Sequence, residues 1–276
     1  MFKSILAVSE GGPDAAMSFK LATRVAGIFD GTVDALHLPV GPAGGMAGGL
    51  AMSGEAMPLM MNIDDERLEA RAKESKAQYD AIVAPIKGAT YSAAETATLD
   101  TMVAMGRCSD VIVLGRPGAD PENVAPATVE AAIYECARPV MIAPPTAGAG
   151  AFANVIVAWN GSFQAARAVE YSLPFLAKAT QVTILVVGST PEDVGASYLA
   201  RNLGRQGIKT VVDAIDPGAV SGRARGRALL DYTHGKGSDL LVMGAYGRGQ
   251  VLSFLGMGGA TGKVISSCRV PLLLAH

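Results

Sequence analysis

The sequence predicts an α/β chain of two tandem doubly wound domains, each a five-stranded, mainly parallel sheet with helices on both faces. Three observations carry this expectation. Short apolar runs without polar alternation, such as Val111–Leu114 and Leu240–Met243, have the pattern of parallel strands covered on both faces. Stretches with helical spacing separate them, so strands and helices alternate throughout. The order also runs twice. Asp110–Gly118 (DVIVLGRPG) parallels Asp239–Gly247 (DLLVMGAYG), and Cys136 and Cys268 each precede a proline, Pro139 and Pro271, by three residues. The repeat unit is about 130–145 residues, an ordinary domain size. The small-residue stretch Thr146–Gly150 separates the copies, giving domains over 1–146 and 151–276.

The elements follow in order. Ser4–Val8 is the first strand, Ser9–Asp14 a turn, and Ala15–Phe29 a helix with Phe19, Ala22, Val25, Ala26 and Phe29 on one side. Val33–Val40 is the second strand. Gly41–Asn62 then breaks the pattern with Gly, Ala, Met and Pro, and reads as a surface insertion. A sharper reading makes it a lid or a Met-rich surface for a protein partner. Asp64–Ala84 is a charged helix capped by Asp64 or Asp65. A weak strand (Ala89–Ala94), a helix (Ala97–Gly106), a buried strand (Val111–Leu114), a loop, a helix (Thr128–Cys136) and a last strand (Val140–Ala143) complete the first copy. The second copy runs through strands Val155–Trp159, Val182–Val187, Thr210–Ala214, Leu240–Met243 and Leu272–Leu274. Helices cover Ala165–Lys178, Asp193–Gln206 and Arg223–Gly235, and a last one starts near Thr261.

Composition excludes several classes of function. Half of the 276 residues are hydrophobic, enough for a sizeable core, and the net charge of −2 provides no basic field for nucleic acid. The three cysteines form no CxxC pair, which fits a reducing cytoplasm rather than a disulfide framework. The N-terminal MFKSILAVSEGG is too short in apolar residues for a signal peptide, and no run reaches the roughly 18 apolar residues of a membrane span. His37, His234 and His276 are scattered, without metal-ligand spacing.

In such folds ligands bind at the carboxyl ends of the strands, near the switch in strand order. Two loops of the second copy are expected to meet there: Ala158–Ser162 and Gly244–Thr261. Gly244, Gly247, Gly258 and Gly259 allow close backbone approach, and Ala260 and Thr261 open a helix whose N-terminus suits an anion. Arg248 and Lys263 stand where they can add positive charge. Asn160 can hydrogen-bond a ribose hydroxyl or a base edge. Trp159 reads first as packing, with its indole available to lie against a base. The pair of loops fits a nucleotide.

These residues resemble the universal stress protein superfamily in its tandem two-domain bacterial form. Nucleotide-binding members carry G-x2-G-x9-G-(S/T) after the fourth strand. Here MGAYG at Met243–Gly247, followed by GGAT at Gly258–Thr261, is similar. The resemblance implies ATP or another adenine nucleotide across the strand ends, with Mg²⁺ as a candidate companion. By it, Asn160 takes the place of a nucleoside-holding carboxylate, and Val187 that of a residue whose backbone meets adenine. Gly244, Gly247, Gly258, Gly259 and Thr261 take the phosphate-loop places. Ten residues rather than nine separate Gly247 from Gly258, and Asn160 replaces the usual Asp. The implied role is a nucleotide-dependent regulatory or interaction module, with at most slow ATP hydrolysis. In the family the last strands pair across a dimer. Here Val140–Ala143 is able to pair with Leu272–Leu274 within one chain, as a monomeric pseudo-dimer, with a homodimer as the other arrangement.

The first copy has drifted. Gly115 and Gly118 remain, but Asp120, Pro121, Glu122 and Pro126 fill the loop with repelling carboxylates and donor-free prolines. Ser9-Glu10 replaces the nucleoside-binding residue, with Glu10 one position out. This copy is expected not to bind ATP. Ser9–Ala15 (SEGGPDA) also resembles the S-G-G-x-D-S loop of ATP pyrophosphatases, a rival reading in which Glu10 and Ala15 are departures.

Overall fold

The computed structural model describes residues 1–39, 56–93, 97–118, 123–219, 221–246 and 259–276, with side-chain surroundings described except at 13, 14 and 56–65. The first half holds β1 (Ser4–Ser9), α1 (Pro13–Phe29), β2 (Thr32–His37), α2 (Ala56–Ile82), β3 (Thr90–Ser92), α3 (Leu99–Cys108), β4 (Val111–Leu114), α4 (Pro126–Glu135) and β5 (Val140–Ile142). The second holds β6 (Asn154–Ala158), α5 (Phe163–Leu176), β7 (Gln181–Val187), α6 (Ala196–Arg205), β8 (Thr210–Ile215), α7 (Gly222–Gly235), β9 (Leu240–Gly244), α8 (Ala260–Ser267) and β10 (Leu272–Ala275).

All these strands join one ten-stranded sheet in the order β3-β2-β1-β4-β5-β10-β9-β6-β7-β8. Neighbours within each half are parallel. The halves meet at one antiparallel pair, where Leu272, Leu273 and Leu274 of β10 face Ile142, Met141 and Val140 of β5. The pairing expected between the two last strands is therefore present. Both strands are wholly buried, as their apolar composition requires. In the second half the strand order switches between β6 and β9, so the site is built at their carboxyl ends.

One aspartate anchors each copy in the same way. Asp110 Oδ2 accepts from the backbone N–H groups of Lys3 (2.7 Å) and Ser4 (3.0 Å). Asp239 Oδ2 accepts from those of Ala153 (3.0 Å) and Asn154 (2.9 Å). Ser4 and Asn154 are thus equivalent, and six residues further on so are Glu10 and Asn160. This corrects the expected one-residue offset of Glu10.

Element boundaries shift in one place that matters. α2 begins at Ala56 rather than at Asp64 or Asp65, so the second part of the expected Gly41–Asn62 insertion is helical. Leu59, Met60 and Met61 are good helix formers, and Pro58 falls in the first turn, where no amide donor is needed. Residues 41–55 lie outside the described residues.

Each face of the sheet carries one core running through both halves. One is packed by α1, α2, α5 and α6, the other by α3, α4, α7 and α8. At the centre of the first, the fully buried ring of Phe175 on α5 meets Phe2 (4.9 Å), Phe29 (5.0 Å) and Phe152 (5.1 Å). Arg24 on α1 lies over the Phe152 ring and donates to the carbonyl of Gly150 at 2.7 Å, so the chain between the halves is held down. The halves share hydrophobic core and sheet. Phe175→Ala should cost about 3–5 kcal/mol in chemical denaturation, as for a large aromatic lost from a packed core. Both halves should unfold in one transition. A loss below about 1 kcal/mol, or two separate wild-type transitions, would contradict the shared core.

Candidate functional site

A cavity of about 360 Å³ opens at the carboxyl ends of β6, β7 and β9, within the usual range for small-molecule sites. β6 and the turn after it supply Ala158, Trp159, Asn160 and Ser162, and β7 supplies Leu185 and Val187. Met243 and Gly244 come from β9, Ala260 and Thr261 from α8. Gln164 of α5 and Gly222, Arg225 and Leu229 of α7 complete the lining. The fold therefore gathers Trp159, Asn160, Val187, Gly244, Ala260 and Thr261 around one space. Gly259 immediately precedes α8. Gly247, Arg248 and Gly258 lie outside the described residues.

Local chemistry explains each wall. The indole N–H of Trp159 donates to the carbonyl of Val194 at 2.7 Å, so Trp159 is a fixed side wall. Asn160 Oδ1 accepts from the Ser162 amide (3.1 Å) and hydroxyl (2.7 Å). Ser162 Oγ in turn accepts from the Ala165 amide and caps α5. The amide N–H₂ of Asn160 is the part left to donate to a ligand. Gly244 is required by packing: a Cβ there would sit 2.6 Å from the Ala165 nitrogen at the start of α5. Its glycine therefore answers first to a helix that presses on the strand end.

The ends of the glycine-rich segment are tied together. Tyr246, with a left-handed φ of 46°, donates its amide to Thr261 Oγ1 at 3.3 Å, and its carbonyl accepts from the buried Gln164 Nε2 at 3.2 Å. Thr261 thus holds the strand exit against the start of α8, and its own O–H remains a donor. Gly259 caps α8 without a side-chain bond, so among the described residues no side chain takes the first amides of the helix. The Lys263 ammonium donates to Ser267 Oγ at 3.0 Å, one turn toward the other end of α8. The charge expected from Lys263 at the phosphates is therefore directed elsewhere.

Sequence reasoning expected α7 as a helix but missed it as a wall of the cavity. A Cβ on Gly222 would lie 3.1 Å from the Ala260 nitrogen, and one on Gly226 2.9 Å from the Ala260 oxygen. These two glycines, four residues apart, seat α7 directly on the start of α8. Gly222, Arg225 and Leu229 share one helical face, and that spacing was readable in the sequence. Arg225 is the only charged side chain among the described lining residues.

The equivalent place in the first half is filled by protein. Glu10, only 4% exposed, turns inward so that Oε2 accepts from the Ala125 amide (2.9 Å) and Oε1 from Thr128 Oγ1 (2.5 Å) at the start of α4. Burial pushes its carboxyl above the ordinary value of 4.5; the bonds from Thr128 and Ala125 and the charge of Arg71 pull the other way. Arg71 on α2 donates to the carbonyls of Glu10 (2.7 Å) and Gly11 (3.2 Å). Asp120, Pro121 and Glu122 lie outside the described residues.

No protein-family model matches the sequence, and no curated protein matches it significantly. Among solved structures, a universal stress protein from Archaeoglobus fulgidus superposes on 99% of this chain and 95% of its own, with a TM-score of 0.65 and 16% identity. Universal stress protein UspA from Lactobacillus plantarum covers 46% of this chain and 99% of its own, at 18% identity and a TM-score of 0.33. A universal stress protein in complex with cAMP covers 52% of this chain and 99% of its own, at 12% identity and a TM-score of 0.34. Likenesses as low as the last two add nothing to the fold. The first extends over nearly the whole length of both chains: this chain has the universal stress protein fold.

Proposed function

We propose that the chain is a stress-response protein of two domains, 1–146 and 151–276, whose second domain binds ATP or a related adenine nucleotide and acts as a nucleotide-dependent regulatory or interaction module. The observation that carries this reading is the cavity at the carboxyl ends of β6, β7 and β9, into which the uncapped start of α8 opens. The base and ribose fit the end bounded by Trp159, Asn160 and Val187. The phosphates fit the end formed by Ala260 and Thr261, where free amides and the helix dipole favour negative charge. The described lining residues include no carboxylate or imidazole to act as a general base, which supports binding over efficient catalysis.

The first domain serves as a structural partner in this reading. Its own carboxylate occupies the place of a bound anion. The loop that resembles a pyrophosphate site leaves no room at Gly11, where a Cβ would lie 2.6 Å from Arg71 Cβ. Pairing of β10 with β5 inside the chain supports a monomeric pseudo-dimer.

Two measurements test these assignments. At about a hundredfold excess over Kd, ATP should add about 2.7 kcal/mol of stability, a thermal shift of several degrees. Ala260→Asp places a carboxylate in the first turn of α8, which a helix tolerates well, but it should abolish the shift by repelling phosphate. Absence of any shift with ATP, ADP or AMP would sink the nucleotide reading. For the first domain, pH discriminates. A carboxyl whose folded pKa is raised contributes stability that is complete below its ordinary value and is lost as pH rises through the folded value. Wild type should therefore gain stability relative to Glu10→Gln as pH falls from about 7.5 to about 5. A difference in melting temperature that is flat or of opposite slope would show that Glu10 is not buried as a charge.

A further inference from the structure

We propose that Arg225 is the residue that reads the nucleotide's phosphates and that it does so in place of a divalent cation. This rests on the nucleotide reading above. The donor set of the cavity is the first observation. The described lining residues include Arg225 and no carboxylate, and residues 247–258, outside the described residues, contain no Asp or Glu in their sequence. Mg²⁺ at a nucleotide site is ordinarily held by one or two carboxylates together with the phosphates. Among the hydroxyls, Ser162 Oγ is engaged in capping α5 and Thr261 Oγ1 in holding Tyr246. The lining fits an anion and does not fit a cation.

The second observation is the position of the guanidinium. Among the described residues the Arg225 guanidinium makes no ion pair or hydrogen bond. It stands near the start of α7, whose first turn carries no acid, so the helix dipole disfavours its charge. Neither the helix nor an acid accounts for a cation there, whereas a ligand anion does. Placement agrees. Gly222, one turn earlier on the same face, abuts the start of α8 at Ala260, and Arg225 lines the same cavity as Ala260 and Thr261. From the other side its Nε approaches Gly188, where a Cβ would be 3.2 Å away and φ is 69°. A bare glycine leaves the guanidinium its space. Its planar fork matches phosphate oxygens in bidentate fashion, which an ammonium does not. Asn160 in place of an acid further lowers the repulsion felt by a ligand that arrives without its metal.

Isothermal titration of wild type, Arg225→Met and Arg225→Lys with ATP, AMP and adenosine, each in Mg²⁺ and in EDTA, tests this. Arg225 is exposed, so its replacement should leave the fold intact. Wild type should bind ATP in EDTA at least as tightly as in Mg²⁺. Arg225→Met should weaken ATP about tenfold or more while leaving adenosine within about twofold, and Arg225→Lys should recover part of the loss. A Mg²⁺ requirement, or equal losses for ATP and adenosine, or no loss at all, would overturn the role of Arg225 alone. A wild-type protein that binds none of the three ligands would overturn the nucleotide reading and this one with it.

Discussion

The antiparallel pairing of β10 with β5 is where the two copies become one molecule. Both strands are short, wholly apolar and buried, and neither is stable as an open edge. Joining them gives one sheet with two continuous cores, and Phe175 locks the halves from the side by packing against Phe2 and Phe29. The same seam places α4 beside the end of β9, where Tyr134 stacks on Tyr246 with ring centroids 5.6 Å apart. The first half therefore supports the strand exit from which the second half's glycine-rich segment departs. A chain that keeps a half without an open site still needs it for packing.

Within that frame the two copies have taken opposite electrostatic solutions at one position. Asp110 and Asp239 hold the first strand of each copy identically, so Glu10 and Asn160 start from equivalent backbone. Glu10 is long enough to reach the start of α4 and satisfy its donors from within. Asn160 is shorter, neutral and turned back on Ser162, so the start of α8 keeps its donors for something else. An internal carboxylate closes one cleft, and a neutral amide leaves the other open with Arg225 as the charge on its wall.

Much of this was legible in the sequence because the strands are apolar on both faces. Runs such as Val111–Leu114 and Leu240–Met243 admit few other readings, and the repeated Asp, Gly and Cys-x-x-Pro positions gave the duplication. Trp159, Asn160, Gly244, Ala260 and Thr261 were legible as neighbours of one cavity because strand ends and glycines mark them, and Val187 came through the family resemblance. The α7 wall escaped because no glycine motif or strand end marks it, and only the contact of Gly222 and Gly226 with Ala260 reveals a seat for α8. Lys263 misled because nearness in sequence to a helix start says nothing about which way a long side chain turns, and here Ser267 takes it. The start of α2 was missed because small and methionine-rich sequence without polar alternation has no helical period to read, although its residues favour helix. Glu10 was placed one residue out because the first strands were matched from Ser4 and Val155, whereas Asp110 and Asp239 align Ser4 with Asn154, in agreement with Gly11 and Gly161.

Photolabelling with 8-azido-ATP, followed by peptide mapping, tests the central claim most directly, since it reports both whether adenine nucleotide binds and where. The account predicts a saturable adduct, displaced by unlabelled ATP, on peptides from the β6–α5 turn, the end of β7 or the cavity face of α7. An adduct within residues 1–146, or labelling that unlabelled ATP does not displace, would contradict it.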